Sequence, residues 1–121
     1  MQEAIDAYSE TARVASSPRQ LEASLLLKAA SQLQEIHDRW SEHPDGALNN
    51  ALVFNRRLWT VFMSSMADET NPLPLNIKNN VASLGAFILS HTLDVQMRPA
   101  PEKLKTLISI NKEIAAGLRA A

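Results

Sequence analysis

Apolar residues recur at spacings of three and four along almost the whole chain, which is the period of an amphipathic helix. The strand-forming residues are not arranged in the strict apolar–polar alternation of a half-buried strand. Breaks rich in serine, proline and glycine divide the helical pattern into five segments. The chain is therefore predicted to be all-helical.

The first predicted segment precedes Ser16 and Ser17, and its apolar side consists of Ile5, Tyr8, Ala12 and Ala15. Ser17 is expected to cap the second helix. Pro18 suits the first helical position, and Gln20 completes a Ser-x-x-Gln capping box.

The second predicted helix is the longest and runs to about Glu42. Its predicted buried stripe consists of Leu21, Leu25, Ala29, Leu33, Ile36 and Trp40, with Leu26 and Ala30 beside them. The run from His43 to Gly46 contains Pro44 and breaks the pattern. Within that run, Asp45 is expected to cap the third helix.

The third helix is predicted to end at about Met66, with a buried stripe of Leu48, Leu52, Trp59, Phe62 and Met66, flanked by Ala51, Leu58 and Val61. A loop over 68–74 follows, and Pro74 is expected to open the fourth helix. The fourth predicted stripe consists of Ile77, Val81, Leu84, Ile88 and Val95. After a second proline-rich break at 98–101, the last predicted stripe consists of Leu104, Leu107, Ile108, Ile114, Ala115 and Leu118.

The length of 121 residues fits one domain over 1–121, and the loops between the predicted helices are short. Short loops between long helices favour antiparallel neighbours. Hydrophobic residues make up 45% of the chain, which is enough to form a packed core. The sequence therefore predicts a single compact helical bundle of about five helices, in which the four longer helices form the core.

The formal net charge of −1 argues against a dedicated nucleic-acid-binding protein, which needs a surplus of cations to displace phosphate counterions. The chain has no cysteine, so disulfides and thiolate metal sites are excluded. No basic N-terminal stretch leads into an apolar run, and no apolar stretch approaches the ~18 residues of a membrane span. We expect a cytoplasmic protein without membrane insertion.

The sequence offers little material for catalysis. His37 and His43 do not have the i, i+4 spacing of a zinc-binding helix, and His91 lies far from both along the chain. Ser64 and Ser65 lack the glycines of a nucleophile elbow, and the three glycines are too scattered for a phosphate loop. We expect no catalytic residues, no metal site, no cofactor and no enzymatic activity. The expected function is to bind another macromolecule.

Several polar residues fall on predicted apolar stripes, namely Asn55, His91 and Asn111. In one interpretation they are core residues whose hydrogen bonds are satisfied by a neighbouring helix, because an unpaired buried amide would cost ~1–3 kcal/mol. In the other, the stripes line a groove that a partner recognises. Trp40 and Trp59 allow the same two interpretations, as core residues or as interface residues.

Four pieces of the sequence are similar to motifs of the FlaF family of flagellar biosynthesis regulators, and they follow the same order along the chain. The run from Asn55 to Trp59 resembles the family signature Asn-Arg-x-Leu-Trp. The other similar pieces are Ala7-Tyr8 with 17–23, Asn71 with Leu73-Pro74, and 107–111 (Leu-Ile-Ser-Ile-Asn) with Gly117-Leu118. Lys112 departs from the arginine expected after that asparagine, so the positive charge is kept but the bidentate guanidinium is lost.

The resemblance implies a role in flagellum assembly, in which the protein acts on flagellin in the cytoplasm before export and works alongside a second regulator, FlbT. Our first hypothesis is a secretion chaperone or adaptor that holds an amphipathic flagellin helix in an apolar groove. The second is a regulator of flagellin synthesis that acts with FlbT or on flagellin mRNA. The near-neutral charge disfavours direct contact with RNA.

The groove is expected beside the third and last helices. The candidate partner-binding residues are Asn55, Arg56, Arg57, Trp59, Asn111 and Lys112. Asn55 and Asn111 would orient the bound helix, while Arg56 and Arg57 would lie at the rim. The sequence does not indicate the oligomeric state.

Overall fold

The computed structural model describes residues 18–120, and four helices contain most of these residues. We number them α1 (Pro18–Asp38), α2 (Ala47–Ala67), α3 (Leu75–Met97) and α4 (Pro101–Ala120). The all-helical prediction is confirmed for these residues, with four helices where about five were expected for the whole chain. The first predicted segment, with Ile5, Tyr8, Ala12, Ala15 and the proposed Ser17 cap, lies outside the described residues.

Helix α1 extends over Pro18–Asp38, so it ends at Asp38 and not near Glu42 as predicted. The N–H of Glu42 bonds to the carbonyl of Arg39 at 2.8 Å, so the chain tightens into a turn after the helix. Pro44 then prevents the helix from resuming, because proline disfavours helical backbone angles at the preceding residue.

The start of α2 differs from the predicted Asp45 cap. Gly46 occupies the cap position with φ of 80°, a left-handed conformation that glycine adopts without steric cost, and no side chain caps the helix. The N–H of Ala47 bonds instead to the carbonyl of Pro44 at 3.1 Å. A backbone turn thus satisfies a donor that the Asp45 side chain was expected to serve. Pro74 likewise precedes α3 as its cap residue and is not its first helical residue.

Each helix packs against the next one along the chain, and α1 packs most extensively against α4, which closes the bundle. The connections are short, at 39–46, 68–74 and 98–100. Gln96 near the end of α3 bonds to Asn49 near the start of α2 at 2.9 Å, so these two helices are antiparallel. Antiparallel neighbours joined by short loops are the arrangement of an up-down bundle.

The core draws on all four helices, and every residue of the predicted α4 stripe is buried. The prediction was wrong for Val61, which is 69% exposed. Val61 lies two residues after Trp59, about 200° around the helix from that buried side chain. The predicted stripe and flanking residues that are only half-buried are Leu21, Leu25, Trp40, Leu48, Leu58, Ile77 and Leu84.

The prediction for His91 on α3 is confirmed in part, because this side chain bonds to a neighbouring helix as the core interpretation expects. His91 was predicted to interrupt the buried stripe, but it is half-buried at the α3–α4 boundary, where Nε2 bonds to the carbonyl of Lys103 at 2.8 Å. The carbonyl can only accept, so Nε2 carries the proton. The buried polar residue is Thr92, whose hydroxyl donates to the carbonyl of Ile88 at 2.7 Å. In the described part of the chain, no helix combines the length and the hydropathy needed to cross a bilayer.

Candidate functional site

Three of the predicted site residues meet in the centre of the bundle. Trp59 Nε1 on α2 donates a hydrogen bond to Asn111 Oδ1 on α4 at 2.9 Å. Asn111 Nδ2 donates to Asn55 Oδ1 at 2.7 Å and to the Leu26 carbonyl on α1 at 3.3 Å. All three side chains are fully buried. This buried polar cluster of Asn55, Trp59 and Asn111 therefore ties α1, α2 and α4 together.

The orientation of both amides in this cluster follows from the indole. Trp59 Nε1 can only donate, so the oxygen of Asn111 must face it and the nitrogen of Asn111 must face Asn55. Asn55 accordingly presents its oxygen, and its own Nδ2 is buried without a hydrogen-bond partner. An unpaired buried donor costs about 1–3 kcal/mol. The cluster sets the relative register of the helices at that cost, a role known for single buried polar groups in helical assemblies.

The position of Asn55, Trp59 and Asn111 inside the bundle favours the interpretation that they are core residues. A groove lined by the two amides is not present at the predicted place, because both side chains lie inside the packed bundle. A partner could contact these three residues only if the helices separated. The sequence pattern was correct in placing them on the apolar stripes of two helices, but it did not reveal that the two stripes face each other.

The three predicted cationic site residues are exposed. Among the described residues, Arg56, Arg57 and Lys112 form no ion pair. Arg56 precedes Met63 by seven residues, so both lie within about 20° of each other on α2, on the side that packs against α3. Lys112 lies on the other side of the bundle, where it lines a shallow depression between α1 and α4. The structure thus separates Lys112 from the two arginines.

Among residues 18–120, five of the six exposed large hydrophobic side chains lie on α3, where six residues form what we call the apolar strip. Their positions fall within an arc of about 80° at the 100° per residue of a helix. The exposed fractions are 71% for Leu75, 36% for Leu89, 56% for Leu93 and 68% for Met97. The strip consists of Leu75, Ala82, Ala86, Leu89, Leu93 and Met97. Helix α3 is therefore apolar on a second side in addition to its buried side.

The strip carries no charge. Among the 23 residues of α3, Lys78 and Asp94 are the only ones with a full charge, and both lie off the strip. Lys78 Nζ bonds to the carbonyl of Asn71 at 2.9 Å, and Asp94 bonds to Lys103 on α4 at 2.8 Å. Contiguous exposed apolar surface of this kind marks interaction sites on soluble domains. The sequence signal was present, since Leu75, Ala82, Leu89 and Leu93 recur at helical spacing beside the polar side of α3, but the predicted stripe covered only the buried side.

A groove borders the N-terminal half of the strip. It lies between the end of α2 and the start of α3 and has a volume of about 380 Å³. Its apolar lining comes from Met63, Met66 and Ala67 on α2 and from Leu75 and Ala82 on α3. Methionine side chains are flexible and polarisable, so they adapt to irregular apolar guests. Asp68, Glu69, Lys78 and Asn79 also line the groove, which adjoins the strip at Leu75 and Ala82.

A second cleft lies between the end of α1 and the start of α2, with a volume of about 430 Å³. Ile36, Ala51 and Phe54 form its apolar floor, and Glu35 and Arg39 stand at its edge. These two charged side chains approach each other at 3.8 Å and are both exposed.

Among residues 18–120, no group of three histidine or carboxylate side chains is placed to hold a metal ion.

Comparison with known protein families identifies the chain. Residues 4–118 match the family described as flagellar protein FlaF. The chain belongs to the FlaF family. Comparisons with curated proteins and with solved structures gave no match.

The FlaF-like motifs of this chain can now be placed in the fold. The Asn-Arg-x-Leu-Trp motif on α2 and the asparagine that ends the motif on α4 supply the buried polar cluster. Asn71 holds the α2–α3 loop: its Nδ2 donates to the carbonyl of Ser65 at 3.2 Å, and its Oδ1 accepts the N–H of Leu73 at 2.9 Å. The motif residues Asn55, Trp59, Asn71 and Asn111 of this FlaF protein therefore hold the helices and their loop in place.

Proposed function

We propose that this FlaF-family protein acts in flagellum assembly by binding flagellin as a secretion chaperone or adaptor. In this proposal an amphipathic helix of flagellin lies along the apolar strip of α3. The observation that carries the proposal is the strip itself: an uncharged apolar surface, open along a whole helix, on a protein of a flagellar family. Such a surface can protect a polymerising helix from premature contacts.

The dimensions of the strip suit a single helix. It runs from Leu75 to Met97, about 33 Å at 1.5 Å per residue, which matches a partner helix of roughly 20 residues. Leu89, Leu93 and Met97 offer protruding apolar side chains, whereas the groove between α2 and α3 can receive side chains of the partner. A helix that presents apolar residues at i, i+3, i+4 and i+7 satisfies both requirements.

Arg56 keeps the predicted rim role in this placement, because it lies on the side of α2 that faces α3. A rim cation of this kind contributes more to the rate and register of association than to affinity. Arg57 lies about 100° further around α2, and Lys112 lies on the α1–α4 side. We therefore assign neither Arg57 nor Lys112 to the flagellin contact. The proposed activity is binding alone, without a chemical step.

The proposal is tested by capture experiments with purified protein and three candidate partners: flagellin, FlbT and flagellin mRNA. We expect capture of flagellin, and loss of that capture in Leu93→Lys. Val61→Lys is the matched control, because Val61 is an apolar residue on α2 outside the strip and is at least as exposed as Leu93. Capture of FlbT or of the mRNA without capture of flagellin would overturn the chaperone proposal in favour of a regulator of flagellin synthesis.

A further inference from the structure

The exposed side of α3 follows a seven-residue repeat. Leu75, Ala82 and Leu89 are spaced by seven, and Ala86 and Leu93 repeat by seven at positions four residues after the first set. Asn79 completes that second set. Apolar residues at these two positions of a heptad form the seam along which helices pair in coiled coils. The strip is therefore patterned for contact with another helix.

The side chains along the seam are partly symmetric about residue 84: Leu75 matches Leu93 and Ala82 matches Ala86, whereas Leu89 lies opposite Asn79. Small alanines occupy the centre, at Ala82 and Ala86, and large side chains occupy both ends. If a second copy of α3 lies antiparallel with its centre at the same residue, Leu75 faces Leu93 of the second copy. Ala82 then faces Ala86 of the second copy, and the small central side chains let the two helices approach closely.

The surface beside the seam is complementary to itself in the same arrangement. Leu93 and Met97 protrude at the C-terminal half of α3, and the groove lined by Met63 and Met66 borders the N-terminal half. An antiparallel two-fold pairing places the protruding side chains of each copy next to the groove of the other. Contacts of this isologous kind are characteristic of two-fold dimers, in which the same patch serves on both subunits.

Electrostatics do not oppose the pairing. With the centre at residue 84, Lys78 lies opposite Ser90 of the second copy, and Asp94 lies opposite Pro74 of the second copy. No like charges of α3 meet, Asp68 and Glu69 line the groove beside the seam, and the whole chain carries a formal charge of only −1. Repulsion between two copies is therefore small.

We propose that the free protein pairs with a second copy of itself through antiparallel contact of the two α3 strips, and that this dimer covers the strip until a partner replaces the second copy. The self-association stands on the geometry of α3 alone, whereas its displacement by flagellin rests on the proposed function. The strip covers about 330 Å², taken as 33 Å by the ~10 Å width of a helix. Stable interfaces bury about 800 Å² per partner. The dimer is consequently weak and exchangeable. A partner can therefore replace the second copy on the strip.

Sedimentation equilibrium over a range of protein concentrations tests the pairing. We expect the mass to rise with concentration from the 13.4 kDa of one chain towards twice that value. Leu93→Lys should remain monomeric at every concentration, whereas Val61→Lys should follow the parent protein, with unchanged helical circular dichroism in both variants. A parent protein that stays monomeric throughout, or a Leu93→Lys variant that dimerises like the parent, would overturn the inference.

Cross-linking tests the register, since the chain has no cysteine of its own. Ala82→Cys carrying an affinity tag is mixed with untagged Ala86→Cys and oxidised. We expect a disulfide between the two variants, and little cross-linking of either variant with itself, because identical positions are offset by about 6 Å along the antiparallel axis. Efficient self-cross-linking of each variant would show parallel pairing and contradict the proposed arrangement.

A titration of flagellin into the concentrated dimer separates this inference from the proposed function. We expect a complex with one copy of this protein and loss of the dimer. If the dimer forms and flagellin does not bind, the proposed function fails and the self-association stands. If flagellin binds to an intact dimer, the displacement is refuted.

Discussion

Trp59 and Asn111 are 52 residues apart in sequence and are joined by a buried 2.9 Å hydrogen bond between Nε1 and Oδ1. This bond links the middle of α2 to α4, two helices that are diagonal in the bundle. Asn111 extends the link to Asn55 and to the Leu26 carbonyl on α1. The cluster therefore joins three helices through one side chain. Its removal should lower the free energy of unfolding of the whole domain.

Asn111→Leu tests the cluster. The substitution leaves the Trp59 N–H buried without an acceptor, so we expect the free energy of unfolding to fall by about 1–3 kcal/mol or more, measured by urea titration. Trp59→Phe removes that donor. The double variant should thus be more stable than the sum of the two single effects predicts. Strict additivity of the two substitutions, or an effect of Asn111→Leu as small as that of the exposed control Lys112→Ala, would show that the hydrogen bond contributes nothing to stability.

A second prediction concerns the close approach of α2 and α3 at Gly85. A Cβ at this position would lie 1.8 Å from Sδ of Met63 and 2.8 Å from its Cγ. The flexible Met63 side chain has to move aside, which offsets the gain in helix propensity of about 0.5–1 kcal/mol, so we expect Gly85→Ala to leave stability unchanged or slightly lower. Adding Met63→Ala should relieve the clash, so the double variant should lose less than the two single variants together.

Gly117 provides the matched control. It also lies in a helix, but a Cβ added there would meet no atom within 4 Å. Gly117→Ala should consequently stabilise the protein by about 0.5–1 kcal/mol through helix propensity alone. Thermal or urea unfolding of the three variants checks both statements. Equal effects of alanine at Gly85 and Gly117 would contradict the packing described for α2 and α3.

A third prediction concerns pH. Lys103 donates a hydrogen bond to Asp94 at 2.8 Å and, with the nearby charge of Arg98, holds the pKa of this carboxyl below its ordinary value of 3.8. Because the pKa is lowered in the folded state, the ion pair makes its full contribution to stability at pH values above the ordinary pKa. That contribution is lost as the pH falls through the lowered pKa.

Asp94→Asn and Lys103→Met should therefore lower stability slightly at pH 7 and should show a smaller further loss than the parent between pH 5 and pH 2. The effect is small because the Asp94 carboxylate is partly exposed. Urea midpoints across this range measure it, with Asp45→Asn as a control at an exposed carboxylate outside the α3–α4 pair. A parent and an Asp94→Asn variant with parallel pH profiles would refute the role of the pair.

Much of the fold could be predicted because α4 has a single apolar stripe, and every residue assigned to that stripe is buried. The break between α3 and α4 was predictable from Pro99 and Pro101. The start of α2 was not, because a left-handed Gly46 and a backbone turn replaced the expected Asp45 side-chain cap. Which group caps α2 depends on the backbone path of the whole loop before it.

The candidate site was harder to predict. Asn55 and Asn111 visibly interrupt apolar stripes, but nothing in a sequence shows that residues 56 positions apart meet inside the bundle. Leu89 and Leu93 on α3 were overlooked for a different reason. A helix that is apolar on two sides has a buried side and an open side, and periodicity alone cannot assign them. Only the position of α2 and α4 around α3 identifies the open side.

Isothermal titration calorimetry of flagellin binding at about 0.1 M and 1 M salt tests most directly whether the apolar strip is the binding surface. Raising the salt shortens the screening length from about 10 Å to about 3 Å, which weakens contacts between exposed charges but does not screen apolar burial. We predict an affinity that changes little between the two salts, a negative heat-capacity change, and loss of binding in Leu93→Lys but not in Val61→Lys. An affinity that collapses at 1 M salt, or a heat-capacity change near zero, would contradict the account.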